Sequence, residues 1–297
     1  MSKVPPIQLG ARGAILPGHG ACHGCPIMMG MKTMISALGE KLVIVVPASC
    51  SSVIVGLYPK TSVNRCFIHT AFACAASVAS GISKALKMRG LTDTKVVVWA
   101  GDGGTADIGM ATLSGAAERN EDIIYIMYDN EAYMNTGIQR SSSTPPGAWT
   151  TTTPTGKREF KKDVARIMIA HGVPYVATAS VGYLQDFYNK VKKAASIRGF
   201  KFIQLHAPCP TGWRFDPKDT VRIARLAVET GMWILYEYQD GKLTLSPPSK
   251  PYLDKSRRKP IKEYIEAQGR FKGVSEEFIR VLEEQVDRAW EWVKASL

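Results

Sequence analysis

The sequence predicts an α/β fold, a mainly parallel sheet with helices on both faces. Three observations carry that expectation. Short apolar runs recur at 41–47, 96–100, 123–128, 175–179 and 202–206, with helical stretches between them. Two of those runs end directly on polar steps, Gly101-Asp102-Gly103 and Asp129-Asn130. The chain has 297 residues and 45% hydrophobic content, enough to bury a full core, with no repeat or low-complexity linker.

The elements follow in order. Run 41–47 leads into Pro47-Ala48-Ser49-Cys50. Run 96–100 is apolar without alternation, as a parallel strand buried on both faces is. The stretch 107–120 has helical composition, and run 123–128 reads as the next strand. Such a strand–helix–strand unit connects right-handedly within one sheet. Asp102 and Asn130 are therefore expected at the carboxyl ends of neighbouring strands, where open α/β sheets bind ligands. Segment 140–158, rich in Ser, Thr, Pro and Gly, is too long for a plain connection and is expected to fold over a cofactor or against a partner chain. Run 202–206 leads into Ala207-Pro208-Cys209-Pro210. Past Pro247 the composition shifts, which divides the chain into a binding domain, 1–246, and a tail with a terminal helix, 247–297. That helix, about 275–296, keeps Phe278, Val281, Leu282, Val286, Ala289, Trp290 and Val293 at helical spacing. It packs either on its own domain or on a partner subunit.

Two groups of residues carry chemistry. Asp102 and Asn130, 28 positions apart, offer a carboxylate and an amide carbonyl to a Mg²⁺ ion, which takes about six oxygens. Gly101 and Gly103 let the backbone approach a diphosphate closely; a tight turn after a strand is the plain alternative. The second group is cysteine. Cys22-His23-Gly24-Cys25 is compatible with zinc, a redox dithiol or a cluster. Cys50 follows 25 residues after Cys25, and Cys209 lies just past a strand-like run. Four thiolates converging from turns suit a [4Fe–4S] cluster, with zinc in a Cys₄ knot as the competitor. Cys66 and Cys74 remain, and Cys74 reads as a small buried apolar residue.

The Gly101-Asp102-Gly103 and Asp129-Asn130 pair resembles the thiamine-diphosphate signature. The longer run from Asp129-Asn130-Glu131-Ala132-Tyr133-Met134-Asn135-Thr136-Gly137 to Ser142 is similar to that of the 2-oxoacid:ferredoxin oxidoreductases, as is Thr144-Pro145-Pro146-Gly147-Ala148-Trp149. The resemblance is nearest to the β subunit of the pyruvate enzymes and covers roughly residues 13–245. It implies a thiamine-diphosphate-binding fold, with Mg²⁺ held by Asp102, the Asn130 side chain and the Ala132 carbonyl. Gly101, Gly103, Asn135 and Thr136 would contact the cofactor. Asn135 would lie at the reacting centre, and Val53, three residues past Cys50, would line the substrate pocket. Cys22, Cys25, Cys50 and Cys209 would ligate a [4Fe–4S] cluster. The implied reaction is decarboxylation of a 2-oxoacid, with electrons leaving singly through the cluster to ferredoxin and CoA accepting the acyl group.

The resemblance also implies that this chain works only with others. The carboxylate that activates thiamine comes from another chain in this family, and no motif here supplies it. An α subunit and ferredoxin-like or γ subunits are the expected partners. Three departures, Pro26 after Cys25, Phe72-Ala73-Cys74, and the stretch 53–58, leave the pyruvate assignment open to oxalate or branched-chain 2-oxoacids. His19 and His69 read as structural histidines with the cofactor as the alternative role.

The net charge of +12 comes from scattered Lys and Arg that do not interleave with aromatics, so nucleic acid is not an expected partner. A basic face could steer an acidic ferredoxin. No signal-like leader or membrane-length apolar stretch is seen, and a cytoplasmic setting is expected. Two readings from other classes stand beside the enzyme: a non-catalytic iron–sulfur electron carrier and a zinc-stabilised nucleic-acid binder.

Overall fold

The computed structural model describes residues 13–297. One eight-stranded sheet organises them. Its strands are β1 (Leu42–Pro47), β2 (Cys66–Thr70), β3 (Lys95–Gly101), β4 (Ile124–Asp129), β5 (Tyr175–Ser180), β6 (Lys201–His206), β7 (Tyr236–Gln239) and β8 (Lys242–Leu245). They lie in the order β2-β1-β3-β4-β6-β5-β7-β8. The first six run parallel, and a hairpin of β7 and β8 adds an antiparallel edge. The predicted mainly parallel sheet is present.

Helices cover both faces. They are α1 (Ile27–Leu38), α2 (Cys50–Val55), α3 (Ala75–Met88), α4 (Met110–Glu118), α5 (Val164–Ala170), α6 (Leu184–Ser196), α7 (Pro210–Trp213), α8 (Thr220–Glu229), α9 (Ile261–Glu266) and α10 (Glu276–Ser296). Successive strand residues point to opposite faces, and β3 shows the consequence. Val96, Val98 and Ala100 pack with α3, α4, α5 and α10, whereas Val97 and Trp99 pack with α1 and α6. Each face is apolar, which is why the strands read as unbroken hydrophobic runs.

Three elements escaped the sequence reading. β2 carries an exposed Cys66 and a polar His69-Thr70 end, so it lacks the apolar pattern. The β7–β8 hairpin is short, and only alternate residues of β8 are buried. The helix expected at 107–120 is split: a π-helical turn, Gly103–Asp107, precedes α4. Gly109 permits that join, because a Cβ there would meet the Gly104 carbonyl oxygen at 2.1 Å.

In the C-terminal segment, the Ser275 hydroxyl accepts from the Phe278 backbone N–H and caps α10. Leu282, Val286, Trp290 and Val293 then join the same apolar cluster as Val96 and Val98. Among the described residues no helix is long and apolar enough to cross a membrane.

Candidate active site

The strand order defines where a ligand fits. From β1 the chain moves outward to β2, then returns to β3 on the other side and continues to β4. The carboxyl ends of β1 and β3 therefore flank a topological switch point. A cavity of about 160 Å³ opens there. Its wall includes Ser49 and Cys50 after β1, Asp102 and Gly103 after β3, and Asn130 after β4. Ala132, Asn135 and Thr136 also line it, so the loop after β4 bends back over the same opening.

That bend has a local cause. Glu131 adopts a left-handed backbone, φ 64°, between Asn130 and Ala132. A non-glycine residue in this region is held against a cost of about 1 kcal/mol or more. Four contacts hold it. Its N–H donates to Asp129 Oδ1 at 3.1 Å, and its carbonyl accepts from Thr144 Oγ1 at 2.6 Å. Its carboxylate meets Lys161 Nζ at 2.8 Å and Arg270 Nη2 at 2.7 Å. Burial opposes ionisation of Glu131, but these two cations outweigh it and hold the carboxyl down to about 2.

The bend brings three polar groups together. One terminal atom of the Asn130 amide lies 2.9 Å from both Asp102 Oδ1 and the Ala132 carbonyl oxygen. With nitrogen at that position the amide donates to both oxygens; with oxygen there, three oxygens face one another with no donor between them. Adjacent ligands of an octahedral ion with bonds of about 2.0–2.1 Å stand roughly 2.9 Å apart. With oxygen at that position, the Asn130 amide stands at the separation of adjacent Mg²⁺ ligands from each of the other two oxygens. Asp102 is 1% exposed, and burial with the nearby Asp129 pushes its carboxyl well above the usual range. Its other oxygen accepts from Ser141 Oγ at 2.5 Å. A divalent cation would relieve a carboxylate placed this way.

The glycines serve packing as well as approach. A Cβ at Gly103 would lie 2.4 Å from the Tyr133 ring, and one at Gly104 would lie 3.1 Å from Phe72. Tyr133 Oη donates to the Gly103 carbonyl at 3.2 Å, so the two loops close on each other.

The four cysteines come from three separate turns. Cys25 N donates to Cys22 O at 3.0 Å, closing the first turn around Gly24. Gly24 has φ 68°, and a Cβ there would strike Pro217 O at 2.5 Å. Cys50 opens α2, and Cys209 precedes α7 with its Sγ accepting from Gly212 N at 3.3 Å. Burial pushes Cys25 and Cys50 up to about 12, and the neighbouring thiols push further in the same direction, Cys209 and Cys22 on both and Cys25 on Cys50. Cys209 is raised by burial as well. The thiols are thus gathered into one region and all are free. Among the described residues, however, no three His, Cys, Asp or Glu side chains are close enough to enclose a single metal ion. Four free thiols, Cys22 exposed and Cys25, Cys50 and Cys209 half-buried, are a donor set whose chemistry suits an iron–sulfur cluster.

Other expected residues fall differently. Val53 is 61% exposed and lies outside the cavity wall, because it occupies the outward side of α2. Asn135 and Thr136 are exposed at the cavity mouth, with Thr136 Oγ1 bonded to Gln139 Oε1 at 2.5 Å. Cys74 is half-buried at the start of α3 instead of fully buried. His19 is exposed, and His69 Nε2 pairs with the Gly56 carbonyl at 3.3 Å. Segment 140–158 folds over the loop after β4 in its own chain, with Ser141 bonded to Asp102 and Thr144 to Glu131. Lys157 Nζ donates to Thr144 O at 2.7 Å, and burial lowers this lysine to about 8. Sequence reasoning missed Tyr128, Tyr133 and Met134 in the wall, and Lys161 and Arg270 behind it. Tyr133 and Met134 lay within the quoted motif; nothing in the sequence marked Arg270.

The fold and cavity define a thiamine pyrophosphate-binding enzyme domain. Residues 48–205 match the thiamine pyrophosphate enzymes over their C-terminal TPP binding domain. The chain is 52% identical over 287 residues to ketoisovalerate oxidoreductase subunit VorB of Pyrococcus abyssi, covering 93% of this chain and 91% of that one. It is 52% identical over 280 residues to pyruvate synthase subunit PorB of Methanothermobacter marburgensis, covering 92% and 94%. Among solved structures, 2-oxoglutarate:ferredoxin oxidoreductase from Magnetococcus marinus superposes with a TM-score of 0.58 at 26% identity, over 70% of this chain and 77% of that one. The chain belongs to the β subunits of the 2-oxoacid:ferredoxin oxidoreductases, enzymes that act with partner subunits.

Proposed function

We propose that this β subunit serves the oxidative decarboxylation of pyruvate to acetyl-CoA and CO₂, with electrons leaving through a [4Fe–4S] cluster to ferredoxin. The observation that carries the reading is one cavity whose wall holds both Asp102 of the oxygen trio and Cys50 of the thiol group. Bound thiamine diphosphate supplies the electron sink for decarboxylation, and a cluster supplies single-electron acceptance. The chain's own residues do the rest. Asp102, Asn130 and the Ala132 carbonyl would hold Mg²⁺, and Gly101 and Gly103 would leave the backbone open to a diphosphate. Asn135 and Thr136 sit at the open mouth, where a substrate enters. Cys22, Cys25, Cys50 and Cys209 would hold the cluster, with Cys50 in the cavity wall itself.

Among the described residues, Asp102 is the one carboxylate in the cavity wall. An oxygen trio that takes a cation leaves it no capacity for proton transfer. This supports the need for an α subunit to supply the activating carboxylate, together with ferredoxin-like or γ subunits for electron relay. A second reading, branched-chain 2-oxoacids, is favoured by the equal likeness to the ketoisovalerate subunit and by the apolar wall of Phe72, Tyr128 and Met134.

The test is anaerobic viologen reduction by the native complex with pyruvate, a branched 2-oxoacid and oxalate, each with and without CoA. CoA-dependent reduction with pyruvate supports the first reading. Preference for the branched acid transfers the assignment, and CoA-independent reduction with oxalate would do so with a different product. No reduction with any substrate would leave an electron carrier without chemistry of its own.

A further inference from the structure

The segment that presents Cys209 does not end at the thiol. Four residues on, at the end of the single-turn helix α7 that Cys209 caps, Trp213 is fully buried and its Nε1–H donates to the Asn130 carbonyl oxygen at 2.8 Å. The same residue whose side chain faces Asp102 is thus held by its backbone from the cysteine segment. The approach is close throughout, since a Cβ on Gly212 would meet the Met134 sulfur at 2.1 Å. Behind the indole, the Arg270 guanidinium lies 3.6 Å from the Trp213 ring centre. Its Nη2 reaches Glu131 Oε2 at 2.7 Å and its Nε reaches Gln268 Oε1 at 2.9 Å. The Arg270 backbone also accepts from Trp149 N at 2.8 Å, which ties in the covering segment.

We propose that Trp213 and Arg270 are positioning residues that lock the metal loop, fixing Asn130 through its carbonyl and Glu131 through its carboxylate from the segment that carries Cys209. The inference rests on the thiamine reading above and adds residues to it. The physical reason is the left-handed backbone at Glu131. Without an anchor on each side, that residue relaxes toward ordinary φ values, and Asn130 and Ala132 no longer aim their oxygens at one point. Trp213 anchors the residue before the bend, and Arg270 anchors the residue within it. A planar, delocalised guanidinium suits the second position because it stacks on the indole while bonding a carboxylate.

The test uses the assembled complex, stripped of thiamine diphosphate and Mg²⁺ and then titrated with both. Trp213→Phe keeps a ring against Arg270 and removes the donor together with part of the indole's volume, a packing loss that the melting temperatures without cofactor register. It is expected to weaken Mg²⁺-dependent thiamine diphosphate binding about tenfold or more, as befits a buried carbonyl left without its donor. Arg270→Gln should weaken it similarly, with Arg270→Lys recovering part of the loss. Iron content should stay at the wild-type level, because no cysteine changes. The melting temperature without cofactor should move less than the increment that cofactor adds. Wild-type affinity in W213F and R270Q would overturn the lock and leave the thiamine reading intact. So would equal losses of melting temperature with and without cofactor, which mark packing alone. A wild-type complex that binds no thiamine diphosphate would overturn the reading and the lock together.

Discussion

Lys161 offers the sharpest stability prediction, because it bridges two buried carboxylates. Its Nζ lies 2.8 Å from Asp129 Oδ2 and 2.8 Å from Glu131 Oε1, and 4.7 Å from the centre of the Trp233 ring. Lys161→Met keeps the stem against Trp233 and removes the charge. Asp129, fully buried, then loses its cation, and Glu131 keeps only Arg270. Removing one partner of a buried ion pair costs about 3–5 kcal/mol. Unfolding entropy near 2.1 cal/mol/K per residue gives about 0.6 kcal/mol per degree for a chain of 297 residues. The expected fall in melting temperature at pH 7 is therefore roughly 5–8 °C. The pH dependence has a definite sign. In the wild type, Glu131 is held down to about 2, below its usual 4.5. Its stabilisation is complete above pH 4.5 and is lost as pH falls toward 2. In K161M the Asp129 carboxyl rises further and takes up a proton readily, so the variant gains on the wild type as pH is lowered from 7 to 5. Melting curves of both proteins across that range decide the matter. A deficit under about 1 kcal/mol at pH 7, or one that widens on acidification, would refute the reasoning.

Further outcomes follow from the same geometry. Asp102→Ala should abolish Mg²⁺-dependent retention of thiamine diphosphate while leaving iron content unchanged, read by metal analysis and cofactor assay. Cys209→Ser should do the reverse, bleaching visible absorbance while cofactor binding survives. Because burial raises the thiols of Cys25 and Cys50 to about 12, apo protein carries them protonated at neutral pH, and loading with iron and sulfide should release protons and improve as pH rises. Gly103→Ala would place a methyl 2.4 Å from the Tyr133 ring; a loss of about 1–3 kcal/mol and weakened cofactor binding are expected, by denaturation and titration. Val53→Ala, at an exposed site, should change the stability of this chain by no more than about 0.5 kcal/mol.

Much of this protein was legible along the chain. Asp102 and Asn130 announced themselves because each ends an apolar run, and parallel strands place their carboxyl ends side by side. The cysteines were legible as candidate donors by residue type, and the choice of Cys22, Cys25, Cys50 and Cys209 came from the family resemblance. Those signals are local or periodic, so a single sequence carries them. What it could not carry was contact between distant segments. Glu131 appears in the sequence as one more polar loop residue; its left-handed backbone is imposed by Lys161, thirty positions on, and by Arg270, far along the C-terminal segment. Trp213 reaches Asn130 across 83 positions. The outward placement of Val53 depends on which side of α2 meets the sheet, and six residues are too few to show a helical face. Sequence determined the fold class and the candidate ligand types, because backbone pattern and side-chain chemistry are properties of short stretches. Tertiary structure alone decided how those residues are aimed, because aim is set by buried charges and hydrogen bonds that exist only once distant segments meet.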